Sequence, residues 1–191
     1  MTRRWLIILA FLVAAAQISV LSWTILGRAS ILRDGSEIVL SVEPVDPRDL
    51  LRGDYVTLAY NISDIPLELF SDLANGGSTV AETVYVRLRP GGEGIWAPIA
   101  ASVGAPLSNP PLADEVDIRG HARVNVHSRQ ETVRVRYGIE RYYVPEGEGR
   151  EIERNLGLGS FTVRVAVAAD GASQIKSLHD GDRMLYQEPL Y

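Results

Sequence analysis

The sequence predicts a mainly β fold: a single N-terminal transmembrane helix, then one β-barrel-like or folded-sheet domain with two or three short helices. Three observations predict it. Trp5 to Leu26 is an uncharged run of 22 residues, enough at about 1.5 Å per residue to cross roughly 30 Å of hydrocarbon. Beyond it, short alternating apolar stretches are punctuated by most of the chain's 17 glycines and 10 prolines, the texture of a turn-rich β domain. No βαβ rhythm and no repeat of roughly 20–50 residues is present.

The organisation follows: residues 1–26 as a membrane anchor, 27–36 as a juxtamembrane linker, and 37–191 as one domain of ordinary size. Arg3 and Arg4 precede the apolar run and the first acidic residue is Asp34, so the positive-inside rule keeps the N-terminus cytoplasmic and sends the domain across. Trp5 and Trp23 stand near the two ends as interfacial anchors. The alternative is a cleaved signal peptide with Ala14-Ala15-Ala16 as its cleavage site. Cleavage there would leave Gln17-Ile18-Ser19-Val20-Leu21-Ser22-Trp23 as an apolar mature end. Either way the domain is extracytoplasmic.

Composition narrows the chemistry. There is no cysteine, which excludes disulfides and thiolate metal sites. The part beyond the apolar run carries 17 basic and 24 acidic residues. No basic stripe stands out along the chain, so nucleic acid is excluded as a partner, because phosphate contacts supply most of that affinity. A surface lying flat on anionic lipid is equally disfavoured.

The elements follow in order. Glu37 to Val42 alternates as a first strand. In Glu43-Pro44-Val45-Asp46-Pro47-Arg48-Asp49-Leu50-Leu51-Arg52-Gly53, Asp46 is placed to cap one helical turn with Pro47 at its first position. Gly53 is expected at positive φ to end that turn. Tyr55 to Ile62 alternates as the second strand, with Val56, Leu58, Tyr60 and Ile62 on one face. Ser63-Asp64-Ile65-Pro66 reads as a helix start, followed by Leu67, Leu69, Phe70 and Leu73 at helical spacing. Strands follow at Glu82 to Arg89 and Ile95 to Val103, then a proline-rich loop from Ala105 to Asp114. Val116 to Val126 and Glu131 to Tyr137 form a hairpin whose Arg134 and Arg136 give it a wet face. Gly138 to Val144 is extended, and Gly147 to Arg154 has the look of a short helix. Phe161 to Ala168 and Ala172 to Leu178 form a hairpin around Asp170-Gly171, the strongest turn signal in the chain. Arg183 to Tyr186 closes the sequence as a short strand.

Gly53-Asp54-Tyr55-x-x-Leu58-x-Tyr60 resembles the signature of the bacterial GDYXXLXY family. The resemblance extends to the lead-in Pro44 to Arg52, to Gly138-Ile139-Glu140-Arg141-Tyr142-Tyr143-Val144-Pro145-Glu146-Gly147-Glu148-Gly149, and to the Val163 to Leu178 hairpin. It implies a protein held in the bacterial inner membrane by one N-terminal helix, with a multi-pass membrane protein as a possible partner. It implies no biochemical activity and no cofactor.

Charge, aromatics and turn residues concentrate in the two principal blocks beyond what β packing requires. Asp46, Arg48, Asp49, Arg52, Gly53, Asp54, Tyr55, Tyr60, Glu140, Arg141 and Tyr142 are therefore the candidate binding surface, with Arg141 expected close to Asp49 or Asp54. Asp46, Asp49, Asp54, Glu140 and Glu146 could supply oxygens to a hard cation, but their spacing matches no calcium loop; capping and ion pairing account for them. Tyr55, Tyr60, Tyr142 and Tyr143 suit either core packing or a contact surface. His121, His127 and His179 have no metal or triad spacing. One catalytic reading remains, a signal-peptidase-like hydrolase using Ser41 and Lys176, the chain's sole lysine, as nucleophile and base. The leading expectation is a non-catalytic binding or accessory module, and the hydrolase is its alternative. A reporter fused after Tyr191 should be active only outside the cytoplasm, and cytoplasmic activity would overturn the topology. A mature N-terminus at Gln17 would preserve export and remove the anchor.

Overall fold

The computed structural model describes residues 3–43, 55–71, 80–124, 131–143 and 161–188. Among the described residues one helix, α1 (Arg3–Asp34), leads into twelve strands: β1 (Ser36–Glu43), β2 (Tyr55–Thr57), β3 (Ala59–Tyr60), β4 (Asp64–Pro66), β5 (Val80–Pro90), β6 (Trp96–Val103), β7 (Val116–Val124), β8 (Thr132–Arg136), β9 (Arg141–Tyr143), β10 (Phe161–Val167), β11 (Ser173–Asp180) and β12 (Arg183–Gln187). The mainly β class is as the alternation predicts. Among the described residues the short helical structure amounts to single 3-10 turns at Leu67–Leu69 and Gly92–Gly94.

α1 is long and apolar enough to cross a membrane, and large side chains such as Phe11, Leu12, Val20 and Trp23 are exposed along it. The hydroxyls of Ser19 and Thr24 donate back to the carbonyls of Ala15 and Val20 at 2.8 and 2.9 Å, so neither is left unbonded on an apolar helix. The segment taken for a linker continues this helix as far as Asp34. Ala29 and Leu32, three residues apart on one face, are buried where α1 packs against β10 and β11. That packing overrides the break that Gly27 invites. The Gly35 amide donates to the Ile31 carbonyl at 3.0 Å, and β1 begins at the next residue.

Two five-stranded antiparallel sheets enclose one core. The first runs β12-β11-β10-β1-β3 and the second β4-β8-β7-β5-β6; β2 and β9 form a separate two-stranded ribbon. Ile38, Leu40, Val163, Val165 and Leu178 from the first sheet join Ile65, Val84, Val86, Leu88, Ile118, Val133 and Val135 from the second in a single buried cluster. Ala166 lies between core-facing Val165 and Val167 and is nevertheless buried, from the side on which α1 sits. Outside the core, Arg87 pairs bidentately with Asp117 at 2.7 and 2.8 Å and donates to the Asn109 carbonyl at 2.6 Å. The buried guanidinium thereby ties the proline-rich loop to β5 and β7.

Two local expectations are corrected. The helix proposed to start at Ser63 is instead strand β4, followed by one 3-10 turn. Pro66 disfavours helical geometry at Ile65, and Ile65 is fully buried opposite Val133. The second strand is not continuous: it divides at Leu58, whose amide donates to the Glu140 carbonyl at 2.8 Å while β2 and β3 pair with different partners. The helical turn at Asp46–Arg52, the positive φ at Gly53 and the helix at 147–154 lie outside the described residues.

The β10–β11 turn joins the two sheets. Gly171 has φ +84°, its carbonyl accepts from the Arg119 amide at 2.8 Å, and an added Cβ would lie 2.9 Å from Arg119 Cβ and N. Gly181 also has positive φ (+55°), but nothing lies within 4 Å of its Cβ position. Gly171→Ala should therefore lose more than about 1 kcal/mol, the backbone strain adding to a collision with β7. Gly181→Ala should lose less. Denaturant melts of both variants check the order, and equal losses would contradict the contact with β7.

Candidate functional site

The signature strand changes sheets within a few residues. Val42 of β1 pairs with Tyr60 of β3, and Asp64 of β4 pairs with Arg134 of β8, so residues 60–64 carry the chain from one sheet to the other. Buried backbone polar groups must find partners at such a crossing, and side chains supply them. Asn61 donates through Nδ2 to the Trp96 carbonyl at 2.7 Å, while its Oδ1 accepts from the Ser41 amide at 3.2 Å. Ser63 Oγ accepts from the Tyr60 amide at 2.9 Å, and the Ser63 carbonyl accepts from the Val135 amide at 2.8 Å.

Two tyrosines complete the crossing. Tyr60 donates its hydroxyl to the Ile139 carbonyl at 2.6 Å, and Tyr137 donates to the Ile62 carbonyl at 2.8 Å. The first bond joins the two signature blocks, and the second ties together the residues just beyond them. Burial pushes the Tyr137 phenol well above its ordinary pKa, and the Glu140 carboxylate adds to the shift. Glu140 itself accepts from the amides of Tyr137 and Gly138, organising the turn in which Gly138 has φ +83°.

The two signature blocks meet directly. β2 and β9 pair antiparallel with Tyr55 opposite Tyr143, Val56 opposite Tyr142 and Thr57 opposite Arg141. Beside this ribbon is an open groove of about 650 Å³, walled by Leu58, Ala59, Arg136, Gly138, Glu140 and Arg141 among others. Arg141 is exposed along it.

The candidate residues thus divide into three groups. Glu140 and Arg141 line the groove, and Tyr55 and Tyr142 are in register with the adjoining strand. Tyr60 is corrected: at 1% exposure its side chain is core, not surface. Asp46, Arg48, Asp49, Arg52, Gly53 and Asp54 lie outside the described residues, as do Glu146, His127 and the expected approach of Arg141 to Asp49 or Asp54. The described residues contain no group of three or more His, Asp or Glu arranged to hold a metal ion. Lys176 Nζ pairs with Glu37 at 2.8 Å, and Glu37 precedes Ser41 by about 13 Å of strand.

The sequence reading also missed a group. His121 lies opposite Arg136 across β7 and β8, and Arg123 and Arg134, each two residues along its own strand, line the same open groove. A basic stripe absent from the linear sequence is thereby assembled across two strands. The signal was present in the alternation: His121-x-Arg123 and Arg134-x-Arg136 occupy the polar positions of a predicted hairpin.

Among the described residues, one apolar helix long enough to cross a membrane leads into a two-sheet β domain, with a short signature strand crossing between the sheets. The chain belongs to the GDYXXLXY family, whose model matches residues 17–178. Searches of the curated proteins and of the solved structures found no match.

Tyr137→Phe should cost about 1–3 kcal/mol by leaving the buried Ile62 carbonyl unbonded. Because the folded phenol titrates above the unfolded value of about 10, its contribution is complete below that pH. It is then lost as pH rises toward the folded pKa. Wild-type stability should decline in that alkaline window, and the variant should decline less steeply. Parallel pH profiles from urea melts would contradict the buried, neutral phenol.

Proposed function

We propose that this protein is a membrane-anchored extracytoplasmic module that binds rather than catalyses, and that it serves a membrane-protein partner or an envelope component. The observation that carries the reading is the β2–β9 pairing, which sets the two signature blocks side by side along one open groove. Exposed Arg141 on β9 and Glu140 in the turn before it stand at the groove, beside a buried tyrosine crossing. Adaptable polar groups on a rigid β scaffold are the usual arrangement for recognition. The anchor reading is supported by the length and exposure of α1. The arginines ahead of the apolar run support a cytoplasmic N-terminus in the bacterial inner membrane with the domain outside.

The binding reading is favoured over a Ser/Lys hydrolase because the lysine ammonium is held by Glu37. An activated serine needs its base within hydrogen-bond reach.

A photo-crosslinking side chain placed at position 141 of the full-length anchored protein should yield a discrete adduct in its native membrane. The same group at exposed Met184, on the edge strand β12, should not. Arg141→Ala should reduce partner capture more than tenfold while shifting the melting temperature little, since exposed arginines add only about 0–1 kcal/mol to stability. Identical adducts from both positions, or capture lost only in proportion to stability, would overturn the assignment.

A further inference from the structure

We infer that the outer face of the β7–β8 hairpin is a binding site for a small, soluble, phosphate-bearing anion. The site is built across strands. His121 and Arg136 face each other in register, Arg123 and Arg134 stand two residues along their strands on the same outward face, and all four are exposed. They share an open groove of about 660 Å³ with Asp64 and Glu131, within the usual range of about 300–1,000 Å³ for small-ligand sites.

Directly opposed side chains on antiparallel strands have Cβ atoms about 5 Å apart, and like charges so placed are destabilising. Successive rows on one face are about 7 Å apart along the strand. Three guanidinium groups are therefore crowded into a patch little larger than one phosphate with its hydrogen-bonding shell. Asp64 offsets Arg134, accepting a bidentate pair from it. Arg123 and Arg136 form no ion pair with any of the described residues. Such crowding is unfavourable in the free protein and is relieved by an anion that accepts from several forks at once. A tetrahedral phosphate offers oxygens in more directions than a planar carboxylate, so it can engage more than one guanidinium.

The source is a soluble molecule and not a lipid headgroup. The cationic face belongs to the second sheet, whereas α1 packs against β10 and β11 of the first, with the common core between them. The domain's excess of acidic residues also opposes close approach to anionic lipid. This inference does not depend on the partner assignment above, since it requires only the described hairpin.

The test uses the full chain in phosphatidylcholine nanodiscs, melted with and without inorganic tripolyphosphate. A ligand that binds the native state raises the melting temperature with concentration, and the rise should shrink as salt increases. Citrate at matched ionic strength should give at most a minor shift. Arg136→Gln should leave the unliganded protein as stable as wild type or more so, because it removes one of the crowded charges. It should also weaken tripolyphosphate binding by about tenfold or more. A conservative Arg136→Lys variant should retain part of the response. Four results would overturn the inference: no tripolyphosphate shift, an equal shift with citrate, an undiminished shift in Arg136→Gln, or stabilisation by phosphatidylglycerol in the disc without any tripolyphosphate response. The unliganded melt separates loss of folding from loss of the site.

Discussion

The structure depends on how one strand leaves the first sheet and enters the second without stranding its backbone. Residues 60–64 make that transfer through the interior, where an unpaired carbonyl or amide costs far more than a hydrogen bond gains. Tyr60 and Tyr137 solve the problem in opposite directions, each giving its hydroxyl to a carbonyl near the other. Their rings also fill the space between the sheets, so one residue type supplies both packing and polar satisfaction. The spaced Leu-x-Tyr of the signature then has a physical meaning. Leu58 ends the pairing with β9, and Tyr60 begins the pairing with β1 while holding the distant block in place.

The exposed ion pairs are secondary to this arrangement. Glu37 bridges Arg164 and Lys176 on the outer surface of the first sheet, and Lys176, its leading partner, together with Arg164 holds the carboxyl below its usual range. Pairs this accessible to water contribute little to folding. They do set the sole lysine of the chain against Glu37, across β10 from its own strand. The buried Arg87 pair acts otherwise, since breaking it would strand a charge beneath the proline-rich loop.

Much of the architecture was legible because period-two alternation reports burial on one side of a strand. Ile38 and Leu40, Val84 and Val86, and Val163 and Val165 all entered the core as their spacing implied. The errors arose where long-range contacts overruled local preference. Leu67, Leu69 and Phe70 have helical spacing, yet Ile65 found a place opposite Val133 and Pro66 held the chain extended. Gly27 marks a boundary in the sequence but not in the structure, because the next helical turns have a sheet to cover. The candidate site was partly legible for the same reason. Proximity of the two blocks could be argued from their shared composition, whereas burial of Tyr60 could not be separated from exposure by pattern alone. The cationic face required a register between β7 and β8 that no single strand reveals.

The continuity of α1 with β1 has a mechanical consequence. The helix has 32 residues and at about 1.5 Å each is roughly 48 Å long, against a hydrocarbon thickness of about 30 Å. With its last turns clamped to β10 and β11 and only Gly35 before the first strand, it resembles a mast fixed to its deck more than a tether. In a bilayer such a mount would set both the height and the azimuth of the domain. Tilting or turning the helix would swing the groove and the cationic face through space together. A neighbour in the same membrane would then meet them at a defined level and bearing.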